Sequence, residues 1–147
     1  MIIKGKVIKY GDNINTDVIY PGRYLEIIDA HEMAKHAMED LDSKFLEKVK
    51  SANIIVAGKN FGCGSSREQA VTCLKHAGIK AIVAKSFARI FFRNAINEGL
   101  VAMEFGGVDK IDEGDEIEID ASSGKIKNLS KSEVYEVKPL PPFLLSI

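Results

Sequence analysis

Only two of the 147 residues, Cys63 and Cys73, are cysteines, and none is tryptophan. A disulfide framework is thereby excluded, and a chain of this size buries roughly two-thirds of its unfolded surface without one. Histidine is equally scarce. His31 and His36 stand five apart, on different faces of any helix, and His76 is remote in sequence, so no metal-ligand spacing appears. Neither sign of charge dominates: Lys plus Arg number 20 and Asp plus Glu 21, for a formal net charge of -1. Such a chain has no global field to steer nucleic acid or anionic lipid, and neither partner is expected. No apolar stretch reaches the length of a signal peptide or membrane span, which predicts a cytoplasmic protein. There is also no repeat, linker or low-complexity segment. With 46% hydrophobic and 28% charged residues, the chain reads as a single domain over residues 1–147.

What is present is an ordered series of elements. Ile2 to Ile8 is β-branched and runs into the turn residues Tyr10-Gly-Asp-Asn13, as a strand does. Asn15 to Ile28 carries Pro21-Gly22 without a sustained period and is expected to be a long ordered loop. Asp29 with Glu32 spells a capping box, and Met33, Ala37, Met38 and Leu41 follow at helical spacing. A second helical piece passes through Phe45, Leu46 and Val49.

Asn53 to Ala57 is a continuous apolar run, the pattern of a strand buried on both faces. A glycine-rich loop from Gly58 to Ser66 follows, then a helix with Ala70, Val71, Leu74 and Ala77 on one face and Gly78 at its end. Ala81–Ala84 repeats the strand signature, Ser86 is placed to cap a helix over Phe87 to Asn97, Gly99 ends it, and Leu100–Met103 is a further strand. The series is βαβαβ, which pairs its strands in parallel and puts ligands beyond their carboxyl ends. Past Gly107 the period changes to two in Glu116–Asp120, Ser122-Ser-Gly124 turns, and Lys125 to Val137 is again strand-like, predicting antiparallel sheet. The proline-bound tail Pro139 to Ile147 is apolar but irregular. The fold class is therefore α/β, a parallel βαβαβ core with antiparallel C-terminal strands.

Chemistry concentrates in Asn60-Phe-Gly-Cys-Gly-Ser-Ser-Arg-Glu68, between a buried strand and a helix. Gly62 and Gly64 let backbone approach a ligand, and the helix start offers unpaired N–H groups and positive dipole. Ser65 and Ser66 add hydroxyls, and Arg67 a planar fork for a carboxylate or phosphate. Spelling excludes the common alternatives: a dinucleotide fingerprint needs glycine where Arg67 stands, a P-loop needs Gly-Lys-Ser/Thr, and a hydrolase elbow needs Gly-x-Ser-x-Gly. Spacing alone leaves open a plainer arrangement, with Ser65 as a helix cap and Arg67 paired with a surface carboxylate.

The string Gly-Cys-Gly-Ser-Ser-Arg-Glu-Gln-Ala resembles the signature of the small, swivelling domain of the aconitase superfamily. Gly11-Asp-Asn-Ile-Asn-Thr-Asp-Val-Ile-Tyr-Pro-Gly22 and Ser86-Phe-Ala-Arg-Ile-Phe-Phe-Arg-Asn-Ala-Ile-Asn97 resemble two more of its segments, in the family's order. The resemblance spans residues 1 to about 112 and is nearest to the free-standing small subunits that process isopropylmalate, with homocitrate- and citramalate-processing relatives beside them. It implies the aconitase-type swivelling β/β/α domain and a hydro-lyase active only with a large subunit. The substrate would be a small 2-hydroxy dicarboxylate, and heterodimers that pair into larger oligomers remain open. The same resemblance implies a [4Fe-4S] cluster on the large subunit and no cofactor or metal on this chain, whose two cysteines fall short of the thiolates a cluster needs. Cys63 is expected to pack rather than react.

Carried over residue by residue, the resemblance makes Ser65 the catalytic serine and Ser66 its helper. Arg67, beside Gly64, grips a substrate carboxylate, and Asp17 orients active-site groups, an Asx turn being its plainer role. Tyr24-Leu25-Glu26-Ile27 occupies the place where the family selects the substrate side chain. Leu25 and Ile27 suit an isopropyl or methyl group, while Glu26 disfavours a third carboxylate unless it points to solvent, and Arg23 is close enough in sequence to reach in instead. Arg89 and Arg93, four apart, read first as a solvated or subunit-facing edge. The resemblance also implies a glycine-rich segment and a helix beyond Pro139, where this sequence stops at Ile147. A stand-alone anion-binding regulatory module is the alternative from another class.

Overall fold

A computed structural model of the chain describes residues 2–140. In chain order its elements are β1 (Ile2–Lys9), α1 (Thr16–Ile19), α2 (Ala30–Ala34), α3 (Phe45–Lys48), β2 (Ile54–Ala57), α4 (Glu68–Ala77), β3 (Ala81–Ala84), α5 (Arg89–Asn97), β4 (Val101–Glu104), β5 (Glu116–Asp120), β6 (Lys125–Asn128) and β7 (Glu133–Glu136). Short 3₁₀ turns cover Gly22–Tyr24 and Val108–Lys110. Most of the apolar tail, from residue 141 on, lies outside the described residues.

The seven strands form one curled sheet in the order β4-β3-β2-β1-β5-β6-β7. β1 is the hinge of the architecture. Its exposed first half pairs antiparallel with β5, from Ile2 opposite Asp120 to Lys6 opposite Glu116, and its buried second half pairs parallel with β2, Val7 opposite Ile54. On the parallel side every residue of β2 and β3 is buried, as their unbroken apolar runs require. Right-handed crossovers in one direction place α4 and α5 on the same face, where they pack together. On the antiparallel side one face carries opposite charges in register, Lys4 opposite Glu118 opposite Lys127, and Asp120 opposite Lys125 opposite Glu136. Cross-strand pairs of this kind support a solvated face while Ile117, Ile119 and Ile126 fill the core behind it. Among the described residues no helix is long and apolar enough to cross a membrane.

Three expectations change at the level of elements. The stretch Asn15–Ile28 is not wholly irregular: Asn15 caps α1, its side chain accepting from Val18 N–H, and Pro21 leads into a 3₁₀ turn. The helix beginning at Ala30 stops at Ala34 rather than running to Leu41. Asp29 caps it, accepting from His31 and Glu32, but Glu32 turns to Lys35 instead of closing a capping box. Met38 then takes φ 59° so that its N–H reaches Ile19 O at 2.8 Å, and burial of Met38 outweighs one more helical turn. Finally, Ser86 does not cap α5. Ala88 stands at the N-cap of α5 with no side-chain hydrogen bond, and Ser86 Oγ accepts from Asn60 N–H at 2.8 Å.

Candidate active site

The carboxyl ends of three parallel strands continue as loops that remain zipped together. Gly58 N–H donates to Gly11 O, Gly62 N–H to Ile14 O and Thr16 N–H to Cys63 O, at 3.0, 2.8 and 2.8 Å. On the other side Phe61 N–H donates to Ser86 O and Ala88 N–H to Phe61 O, at 3.0 and 2.9 Å. Residues 58–64 are thus held between the loops after β1 and β3, at the edge where parallel α/β sheets bind ligands. Phe61, fully buried, anchors the strip in edge-to-face contact with Phe87 and Phe91, at centroid distances of 6.0 and 5.2 Å. Gly62 must then be glycine: its φ is 83°, and a Cβ would fall 2.2 Å from Phe91 Cγ.

This strip brings Gly64, Ser65, Ser66 and Arg67 to one wall of an open cleft of about 290 Å³, with Thr16 at its base and Arg89, Ile90 and Asn94 of α5 opposite. Arg67 is the N-cap residue of α4, with no side-chain hydrogen bond capping the helix, so the cleft wall ends where α4 begins. Its guanidinium is positioned from behind, ion-paired with Asp17 Oδ1 at 2.5 Å and donating through Nη1 to Tyr20 O at 3.0 Å. The Asn15-Thr16-Asp17 string therefore divides its work. Asn15 caps α1, buried Thr16 donates its hydroxyl to Ser65 O at 2.9 Å, and Asp17 holds Arg67. With the Thr16 proton committed, the 3.4 Å contact between the two hydroxyl oxygens runs from Ser65 Oγ–H to Thr16 Oγ1. Ser66 is exposed along the cleft wall.

Tyr24, Leu25, Glu26 and Ile27 do not line the cleft. They lie behind Arg67, across the Tyr20–Gly22 turn. Tyr24 packs on His36, Ile27 rests against the core, Leu25 is exposed, and Glu26 is exposed with no ion pair among the described residues. Arg89 is exposed, in keeping with the solvated or subunit-facing edge expected of it, and it also lines the cleft from the first position of α5. It faces the positive end of its own helix dipole with no acidic residue in that turn. The sequence signal was a cation at a helix start without a compensating carboxylate, and it became visible only once the helix boundary was known. Thr16 was also missed, since a buried hydroxyl leaves no periodic mark.

The aconitase C-terminal domain family matches residues 8–107. The 3-isopropylmalate dehydratase small subunit of Thermodesulfovibrio yellowstonii is 59% identical over 145 residues, covering 98% of this chain and 86% of that one. The chain belongs to the 3-isopropylmalate dehydratase small-subunit family. The small subunit from Clostridium beijerinckii is 56% identical, covering 100% of this chain and 92% of its own length. The crystal structure of the 3-isopropylmalate dehydratase of Methanocaldococcus jannaschii superposes with a TM-score of 0.93 at 48% identity, over 99% of this chain and 89% of that one. Aconitase X of Thermococcus kodakaraensis, 17% identical with a TM-score of 0.54, shares the fold alone. Dehydratases are hydro-lyases, and the small subunits of this family work with a large one.

The superfamily implies a [4Fe-4S] cluster, and this chain does not fit one. Its sulfur donors number two: Cys63, half-buried in the cleft strip, and Cys73, buried in α4, where burial pushes its thiol well above the usual range and favours the protonated form that does not ligate. Among the described residues no three His, Cys, Asp or Glu are gathered as a metal site.

Proposed function

We propose that the chain supplies the serine, arginine and amide half of the active site of a 3-isopropylmalate dehydratase, interconverting 2-isopropylmalate and 3-isopropylmalate in leucine biosynthesis in the cytoplasm. The observation that carries this reading is Arg67, buttressed by Asp17 and Tyr20 O while it borders an open cleft with Ser65 and Ser66. A guanidinium held from behind presents a fixed fork to a carboxylate at little further entropic cost.

The reaction removes a proton from carbon beside a carboxylate and hydroxide from the neighbouring carbon, leaving a cis-alkene that takes water back in the other sense. Ser65 acts as the base on carbon and returns the proton on rehydration. An alkoxide at Ser65 Oγ is tolerable only beside donors, which the helix-start amides and the Arg67 and Arg89 cations provide. Ser66 adds a hydroxyl donor. Gly64 leaves the backbone open to the substrate, and Arg67 pairs with one of its carboxylates. The large subunit holds the iron–sulfur cluster and closes the cleft. Tyr24, Leu25, Glu26 and Ile27 stand outside the cleft of this chain and take part in selecting the substrate side chain only where the docked large subunit extends the site to them, exposed Leu25 then offering an apolar contact.

Mixing the purified chain with a cluster-bearing large subunit and offering 2-isopropylmalate, citramalate and homocitrate tests the reading. Turnover should appear only in the mixture and be fastest on 2-isopropylmalate. No complex, or no turnover of any of the three, rejects it.

A further inference from the structure

Behind Arg67, on the face away from the cleft, one carboxylate gathers the side chains of a turn. Glu39 Oε2 accepts from Arg23 Nη2 at 2.6 Å and from the Tyr24 hydroxyl at 2.7 Å, and Oε1 lies 3.0 Å from His36 Nδ1. The Tyr24 ring stacks on the His36 imidazole, with centroids 3.7 Å apart and planes 16° from parallel. The Arg23 guanidinium stands 4.8 Å from the Tyr24 centroid, and both of its amino groups bind Asp40, Nη2 being shared with Glu39. Both charged and aromatic residues of the Gly22–Tyr24 turn are therefore pinned to residues 36–40.

The same turn forms the back support of Arg67. Tyr20 O receives Arg67 Nη1, a Cβ on Gly22 would lie 3.4 Å from Arg67 Nη2, and the Tyr20 hydroxyl donates to Tyr24 O at 2.6 Å. A shift of the turn moves the carbonyl that aims the guanidinium. An isolated exposed ion pair contributes little stability, and none is required here. What matters is direction: a carboxylate with donors on two consecutive residues of a short turn fixes its position.

We propose that Glu39 is a positioning residue for substrate capture, fixing the Gly22–Tyr24 turn and through Tyr20 O the orientation of Arg67. The proposal rests on Arg67 binding a substrate carboxylate. Glu39 touches no part of the cleft, so its removal acts through the turn.

Two measurements on Glu39→Ala, with Glu39→Gln as the conservative comparison, decide it. In the full chain, hydrogen exchange at the amides of Tyr24, Leu25 and Ile27, which donate to Pro21 O, Gly22 O and Tyr24 O, should accelerate about 10-fold or more while α4 is unchanged. In the two-subunit enzyme, KM for 2-isopropylmalate should rise roughly 3–10-fold with kcat within about twofold, and not rise further when Arg67 is already alanine. Glu39→Gln, which keeps an acceptor for Tyr24 but not the charge for Arg23, should fall between. Unchanged exchange, unchanged KM, or a KM effect that persists in the Arg67→Ala background overturns the proposal. Wild-type enzyme that ignores 2-isopropylmalate defeats the functional reading instead. The Arg67 Nε–H resonance, shifted by Glu39→Ala if the turn aims it and unmoved if not, then decides the positioning role.

Discussion

Replacing Arg67 by lysine keeps a positive charge but removes the fork. In the structure one guanidinium meets Asp17 Oδ1 at 2.5 Å and Tyr20 O at 3.0 Å from behind while bordering the cleft. An ammonium on a single stem satisfies the rear partners or the substrate, not both. The expected loss is one charge-assisted hydrogen bond to substrate, about 1.5–3 kcal/mol, which at 1.36 kcal/mol per decade is roughly 10- to 150-fold. It should fall mainly on KM if the contact is equal in ground and transition states. Stability should hardly change: the Asp17 side chain is 67% exposed, and pairs of that exposure contribute at most about 1 kcal/mol. Steady-state kinetics of the reconstituted enzyme, beside thermal unfolding of the chain, separates the two effects. Unchanged KM and kcat would refute the reasoning and leave Arg67 a structural brace for α1.

Ser65→Ala should leave the subunit complex intact on gel filtration and lower kcat about 10²- to 10⁴-fold, the range of a lost general base; full activity would remove serine from that role. Gly62→Ala should destabilise the chain by more than about 1 kcal/mol in urea unfolding, because φ 83° is strained for alanine and its methyl meets the Phe91 ring at 2.2 Å; wild-type stability would mean the strip relaxes freely. Hydrogen bonds from Tyr24 and His36, with Arg23, hold the Glu39 carboxyl down at about 2, against about 4.3 for an unstructured glutamate. A depressed pKa stabilises fully above the unfolded value and is lost as pH falls through the folded one. The exchange protection of the Gly22–Tyr24 turn should therefore decline between about pH 4 and pH 2, and the gap between wild type and Glu39→Gln should close. A gap that stays constant to pH 2 would show that Glu39 does not hold the turn.

Where patterns repeat, the sequence was sufficient. The unbroken apolar runs at Ile54–Ala57 and Ala81–Ala84 and the period-two run at Glu116–Asp120 became strands, each with the burial its pattern implied. The boundaries of α2 and α5 were not legible, because they follow from long-range hydrogen bonds. Met38 N–H reaches back to Ile19 O, and the Ser86 hydroxyl serves Asn60 rather than a helix.

The site divides in the same way. Residue chemistry in one short segment was enough to single out Gly62 to Arg67 as the candidate anion site, with glycines, hydroxyls and a guanidinium gathered before a helix, but spacing did not separate that reading from a helix cap with a surface ion pair. The family resemblance implied an orienting role for Asp17, but tertiary structure alone decided that its target, shared with Tyr20 O, is the guanidinium about 50 positions downstream, that Arg89 faces the cleft, and that Glu39 lies behind the turn. Those relations depend on loops from three parallel strands meeting at one sheet edge. Local propensity cannot encode such a meeting; only the packing of the strands that carry the loops brings it about.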